Sequence, residues 1–110
     1  MTPELVPGNL LRDPNGSQSH AEIFRTLLES PHVKLEHMIS HGQASPPDFW
    51  YDQVEDEWVL LLRGKATLEF ADGGMVELTS GSHLTIPKHV RHRVHQTTED
   101  AIWLALFLKV

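Results

Sequence analysis

Apolar and polar residues alternate along most of the chain after residue 32, and turn residues interrupt the alternation at regular intervals. Such alternation is typical of β-strands, because successive side chains of a strand point to opposite faces. It predicts extended segments at 33–41, 49–53, 58–62, 65–70, 75–78, 84–86, 92–96 and 102–110. Many short strands separated by turns indicate an all-β barrel or sandwich.

Two of these segments, 58–62 and 102–110, are apolar on both faces. A strand of this kind is expected to lie between the barrel interior and an outer cover. The cover could be the N-terminal part of the same chain or a second subunit. A homodimer is therefore a predicted partner arrangement.

The N-terminal part carries different signals. Residues 1–18 contain prolines and glycines without regular periodicity, which predicts an irregular arm. Ser19 and Glu22 then form a capping box, and Pro31 ends the pattern that follows. Apolar residues fall at helical spacing between them: Ile23, Phe24, Leu27 and Leu28. The expected organisation is an arm over 1–18 and one domain over 19–110, with a short helix at about 20–30 and a barrel at about 33–110.

Composition narrows the class of protein. A chain of 110 residues suits one domain, and the absence of cysteine excludes disulfides and thiolate metal sites. A formal net charge of −6 argues against a nucleic-acid partner, because duplex binding relies on a basic face. No apolar run approaches the roughly 20 residues that span a bilayer, and no secretory signal is visible. We expect no membrane association and a cytoplasmic location.

Glu57 and Gly64, seven residues apart, mark the first of two motifs. A buried strand would support the carboxylate, and the glycine would let the chain reverse. This spacing resembles the first motif of the cupin superfamily, which usually runs His-x-His, three or four residues, Glu, six residues, Gly. The two histidine positions hold Tyr51 and Gln53 here.

The second motif begins at Gly81, with Pro87 six residues later and His92 five residues further on. It resembles the second cupin motif, Gly-x5-Pro-x-Gly-x2-His-x3-Asn, with His89 at the second glycine and Gln96 at the asparagine. The two motifs occur in the cupin order. The resemblance implies a double-stranded β-helix, or jelly-roll barrel, of the small single-domain cupin type.

The resemblance also implies a metal centre inside the barrel. Carried over position by position, the metal ligands would be Gln53, Glu57 and His92, and the ion a divalent one such as Zn, Mn, Fe or Ni. Tyr51 and Glu57 are the candidate catalytic residues, with Tyr51 as a hydrogen-bond donor or general acid. In the alternative interpretation, Glu57 and His92 form a buried hydrogen-bonded pair without metal.

Ligand contacts are predicted for Tyr51, Gln96, Arg91 and Arg93. His92, Val94 and Gln96 would face the interior together, and the arginines belong to a basic cluster that could attract an anionic substrate. The alternative interpretation of that cluster is a solvated turn that balances nearby acids. Similarity to small cupins labelled as mannose-6-phosphate-isomerase-like makes sugar-phosphate isomerisation a specific candidate. The alternative function is a metal-free ligand-binding or structural cupin dimer.

Overall fold

The structure is a computed structural model that describes residues 4–12 and 21–109. Within these ranges the chain forms strands and no helix. The strands are β1 (Ile23–Glu29), β2 (Val33–Ile39), β3 (Asp56–Arg63), β4 (Ala66–Phe70), β5 (Met75–Leu78), β6 (His83–Ile86), β7 (His92–Thr97) and β8 (Ile102–Leu108).

The strands pair antiparallel in two sheets. One sheet has the order β1-β2-β8-β3-β6 and the other has the order β5-β4-β7. The core lies between the sheets and consists of Val59, Leu61, Ala66, Leu68, Leu78, Ile86, Ala101 and Trp103. A fully buried leucine such as Leu61 stabilises the fold by roughly 2 kcal/mol. The prediction of an all-β barrel is confirmed.

The predicted helix at 20–30 is wrong, because residues 23–29 form the edge strand β1. Its register with β2 shifts between Thr26 and Leu28, so Leu27 is an extra residue in a β-bulge. A bulge interrupts the two-residue period, and the remaining apolar residues then mimic helical spacing. The predicted capping residue Ser19 lies outside the described residues, as does the predicted arm except for residues 4–12.

Gly64 forms the turn between β3 and β4 and has a φ of 90°. A Cβ atom at this position would lie 2.5 Å from the hydroxyl of Thr98 and 3.0 Å from the Cα of Ala101. The position therefore requires glycine for two reasons, the left-handed backbone and the close approach of another turn. The glycine of the first motif thus has a structural reason that is independent of any ligand.

The residues 4–12 lie against the outer face of the larger sheet. The imidazole Nε2 of His37 donates a hydrogen bond to the carbonyl oxygen of Leu10 at 2.9 Å. The guanidinium of Arg63 donates to the carbonyl oxygen of Leu11 at 3.4 Å. Part of the cover predicted for the outer face therefore comes from the N-terminal part of the same chain.

A β-bulge also interrupts β7. Two successive residues of β4 lie opposite Gln96 and Val94, which leaves His95 out of the register. Alternation reverses beyond a bulge of this kind. Consequently Val94 faces the interior, whereas Gln96 is exposed and Thr97 is buried.

Candidate functional site

A cavity of about 120 Å³ opens between the two sheets. Four of its polar lining residues are those that the first and second motifs single out: Tyr51, Gln53, Glu57 and His92. The rest of the lining is mostly apolar, with three aromatic residues, Phe24, Trp103 and Phe107. The two motifs, although separated in the sequence, therefore converge on one buried space.

Glu57 and His92 are the central pair of this cavity. Glu57 lies at the start of β3 and His92 at the start of β7, with exposures of 8% and 5%. His92 Nε2 lies 3.5 Å from Glu57 Oε1, and His92 Nδ1 donates to the carbonyl oxygen of Val90 at 2.9 Å. The bond to Val90 fixes the tautomer, so Nε2 is the ring nitrogen that faces the cavity.

The charge state of His92 follows from these contacts. Burial alone lowers the pKa of an imidazole, but the hydrogen bond to Glu57, the carbonyl of Val90 and the charge of Glu57 outweigh it. The pKa of His92 therefore lies above its ordinary value. Without a competing ligand, the pair can hold a proton between the Nε2 and the carboxylate.

Tyr51 forms the wall beside His92. Its backbone N–H and carbonyl both bond to His92 in an isolated bridge, at 2.7 and 3.1 Å. The phenol ring stacks on the imidazole with centroids 5.4 Å apart, and Phe49 meets the phenol edge-on at 4.8 Å. Burial raises the pKa of Tyr51, as do the charges of Glu22, Glu57 and Glu36. Tyr51 therefore keeps its phenolic proton at neutral pH, which makes it available as a hydrogen-bond donor and unsuited to be an anionic ligand.

Gln53 lines the same cavity, and the turn after β6 holds its backbone in place. The carbonyl oxygen of Gln53 accepts from the backbone N–H of His89 at 2.8 Å. His89 has a φ of 63°, and its ring Nδ1 lies 2.9 Å from the carboxylate of Asp52. Asp52 itself is exposed and does not line the cavity.

Arg91 and Arg93, predicted to bind an anionic ligand, lie outside the cavity. Arg93 donates to Glu69 at 2.8 Å and to the carbonyl oxygen of Ser45 at 2.6 Å. Both guanidinium groups lie near the ring of Trp50, at 5.8 and 6.0 Å from its centroid. The buried side chain of Arg93 ties the irregular segment 41–53 to β7, and thereby supports the wall that Tyr51 forms.

Gln96 is also outside the cavity, because the bulge at His95 turns it to the exposed face of the smaller sheet. It lines a separate surface depression with threonines and Lys65.

The cavity also includes Glu36, which the sequence analysis did not predict as a site residue. A signal for Glu36 did exist, since it shares a face of β2 with Met38, another lining residue.

The donor set determines how a divalent metal could be held. His92 Nε2 and the carboxylate of Glu57 are strong donors that converge, and the amide oxygen of Gln53 can add a weaker one. Within residues 4–12 and 21–109, no three His, Cys, Asp or Glu side chains are grouped to hold a metal. The residues therefore fit a metal with two strong protein ligands and Gln53, with the other positions left to water or to a ligand.

A family model for the cupin domain matches residues 36–107. The chain belongs to the cupin family. No curated protein matches it.

Solved structures agree with this assignment. A candidate mannose-6-phosphate isomerase from Ralstonia eutropha JMP134 is 40% identical, with a TM-score of 0.86 over 96% of this cupin and 100% of that chain. An RmlC-like cupin with a double-stranded β-helix fold from Methanocaldococcus jannaschii is 14% identical, with a TM-score of 0.70 over 98% of this cupin and 92% of that chain. KdgF from Halomonas sp. is 14% identical, with a TM-score of 0.71 over 86% of this cupin and 85% of that chain. The last two show the fold alone.

The described part of this cupin has no helix capable of crossing a membrane.

Proposed function

We propose that this cupin binds one divalent metal ion and a small polar ligand inside its barrel. The observation that carries the proposal is the convergence of Glu57 and His92 in a buried cavity, with the Nε2 of His92 directed at Glu57. A histidine that donates its other ring N–H to a backbone carbonyl is oriented as metal-binding histidines usually are. In this arrangement Gln53, Glu57 and His92 would be the metal ligands.

The roles of the residues follow from their environments. A divalent metal would act as a Lewis acid that polarises a carbonyl or hydroxyl oxygen of the ligand. Tyr51 keeps its proton and can donate a hydrogen bond to a ligand oxygen. Glu57 provides a buried carboxylate that can accept a proton. The mostly apolar lining limits how much water can surround these groups.

Isomerisation of a small hydroxylated carbonyl compound is the reaction that we propose for such a site. It is supported by the 40% identity to the candidate mannose-6-phosphate isomerase from Ralstonia eutropha. The reaction moves protons between neighbouring carbon and oxygen atoms, which requires the acid and base groups that Tyr51 and Glu57 supply. A cytoplasmic location stays a prediction.

Metal binding can be tested by titrating the metal-free protein with Mn²⁺, Ni²⁺ and Zn²⁺ in a calorimeter. We expect one site per chain and a loss of at least tenfold in affinity for His92→Ala, because one of two strong donors is removed. His95→Ala is the matched control, since His95 lies on the same strand but is exposed. Equal affinities in all three proteins, or no binding to the unaltered protein, would contradict the proposal.

A second copy of the chain is the partner that we propose for the outer face of the larger sheet. Across four neighbouring strands, Leu28, Leu35, Leu106 and Trp58 form one apolar row. Leu28 is 64% exposed and the other three residues are partly exposed, so residues 4–12 do not fully cover the row. Sedimentation of Leu106→Glu should show a monomer where the unaltered protein is a dimer, whereas Met75→Glu on the other sheet should change nothing.

A further inference from the structure

The cavity contains carboxylates but no lysine or arginine. Glu36 and Glu57 line it, and all nine lysines and arginines of the chain lie within the described residues yet outside this lining. Proteins commonly bind phosphate with these two side chains, which supply both charge and donors. A phosphate group inside this cavity would therefore meet negative charge without a compensating side chain.

Two lysines approach the rim of the cavity, but both are already paired. Lys34 and Lys109 line a surface depression that shares Glu36 with the cavity and also contains Glu55. Lys34 Nζ lies 3.6 Å from Glu36, and Lys109 Nζ lies 2.5 Å from Glu29. With three carboxylates beside two ammonium groups, this rim has no surplus positive charge for an anion.

Four of the five arginines have partners away from the cavity. Arg25 donates to His37 on the outer face of the larger sheet, and Arg63 donates to the N-terminal residues 4–12. Arg91 and Arg93 lie against Trp50 on the far side of β7. None could reach the cavity without leaving these partners.

A bound metal would neutralise this charge without giving the cavity a surplus of positive charge. One divalent ion would offset the two lining carboxylates and leave the cavity close to neutral. With or without the ion, the lining of the cavity has no net positive charge that would attract a phosphate.

We propose that the ligand of this cavity is a small uncharged hydroxylated or carbonyl compound, and that its phosphorylated counterparts are discriminated against. The inference rests on the proposed function and narrows its substrate class. Tyr51 and Gln53 supply hydrogen-bonding groups for such a compound, and Trp103 and Phe107 supply apolar faces.

The test uses matched pairs of probes on the metal-loaded protein: dihydroxyacetone, glyceraldehyde and mannose, each beside its monophosphate. Binding is measured by calorimetry at constant ionic strength, together with inorganic phosphate. We expect saturable binding of at least one uncharged compound and binding of its phosphate at least tenfold weaker. Glu36→Gln should strengthen binding of the phosphate roughly tenfold, because a lining carboxylate is removed. Glu77→Gln, an exposed change on the other sheet, should leave both affinities unchanged.

The outcomes separate this inference from the proposed function. A phosphate that binds as tightly as its uncharged parent, or the failure of every uncharged compound to bind, overturns the inference even where metal binds normally. Uncharged binding that persists without metal and survives His92→Ala would instead leave the inference standing and contradict the metal centre. An unchanged phosphate affinity in Glu36→Gln also counts against the inference.

Discussion

His92 and His37 are both buried, with exposures of 5% and 1%, yet their ring nitrogens are used differently. His37 has both nitrogens engaged, since Nε2 donates to the carbonyl of Leu10 and Nδ1 accepts from Arg25 at 3.3 Å. His92 has one nitrogen fixed by the carbonyl of Val90, and the other faces a carboxylate in a cavity. Burial of a histidine is therefore no indication of a site, whereas a fixed ring with one nitrogen facing a cavity is.

The pKa values of the two histidines move in opposite directions, because a carboxylate opposes the effect of burial at His92 and none does so at His37. Burial lowers the pKa of His37, and the nearby charge of Arg25 lowers it further, against the opposing bond to Leu10. The carboxylate of Glu57 has the opposite effect on His92. An irregular segment also contacts each histidine: residues 4–12 cover His37, and residues 41–53 lie beside His92.

The largest expected effect comes from loosening the segment beside His92. Arg93→Ala removes the bonds to Glu69 and Ser45, and should lower the free energy of unfolding by about 2 to 3 kcal/mol. Tyr51 should then become more accessible, so its pKa should fall towards the ordinary value. Because the chain has one tyrosine, the ultraviolet absorbance of tyrosinate reports this titration directly.

Arg91→Ala is the matched control, since Arg91 also lies over Trp50 but is exposed. This variant should lower the free energy of unfolding by less than about 1 kcal/mol and leave the titration of Tyr51 unchanged. Equal shifts of that titration in both variants would mean that Arg93 does not hold Tyr51 against His92.

A smaller effect is expected on the stability of the fold at low pH, through the protonation of His37. Its pKa in the folded protein is below the unfolded value of 6.5, so the unfolded chain takes up the proton first as pH falls. The stability that neutral His37 contributes is present above pH 6.5 and is lost as pH falls from there towards the folded pKa. The loss can reach ~1.4 kcal/mol per pH unit.

His37→Gln keeps a donor for Leu10 and an acceptor for Arg25 but does not titrate. Urea unfolding at pH 7.5, 6.5 and 5.5 should show a smaller loss of stability on acidification in this variant than in the unaltered protein. His32→Gln, at an exposed position, should keep the original dependence. If the free energy of unfolding of His37→Gln fell with pH as steeply as that of the unaltered protein, His37 would not stay neutral in the folded state.

The smallest effect is expected at the turn that holds Gln53. His89 has a positive φ, a conformation that costs an ordinary residue about 1 kcal/mol relative to glycine. His89→Gly should therefore be more stable than His89→Ala by about 1 kcal/mol. Both variants lose the contact with Asp52, but only the glycine variant adopts the positive φ without strain. Chemical denaturation measures the difference. If the alanine variant were equally stable, the strain at this turn would be negligible.

Much of the fold follows from local pattern. Alternating segments predicted the strands from β2 to β8, and the spacing of Glu57, Gly64 and His92 predicted which side chains meet inside. These predictions hold because a strand with one buried face must keep its register. Gly64 is also fixed by contacts that tolerate no other residue.

The predictions that failed depend on features without a local signal. The bulge at Leu27 made a strand look helical, and the bulge at His95 moved Gln96 away from the cavity. Arg91 and Arg93 were expected to contact a ligand, but strand alternation directs Arg93 to the face opposite to His92. Its partners, Glu69 and Ser45, are 24 and 48 residues away in the sequence.

The bulge in β7 has a consequence for how this barrel can change. Once His95 is removed, Val94 and Gln96 follow each other directly, so strand alternation keeps Val94 inward, Gln96 outward and Thr97 inward, each opposite the same residue of β4. A single deletion at this position would therefore restore a regular strand in one evolutionary step without moving a side chain into or out of the inner wall. The bulge thus marks His95 as the position of β7 at which the length of the chain can change while the ligand-facing residues stay in place.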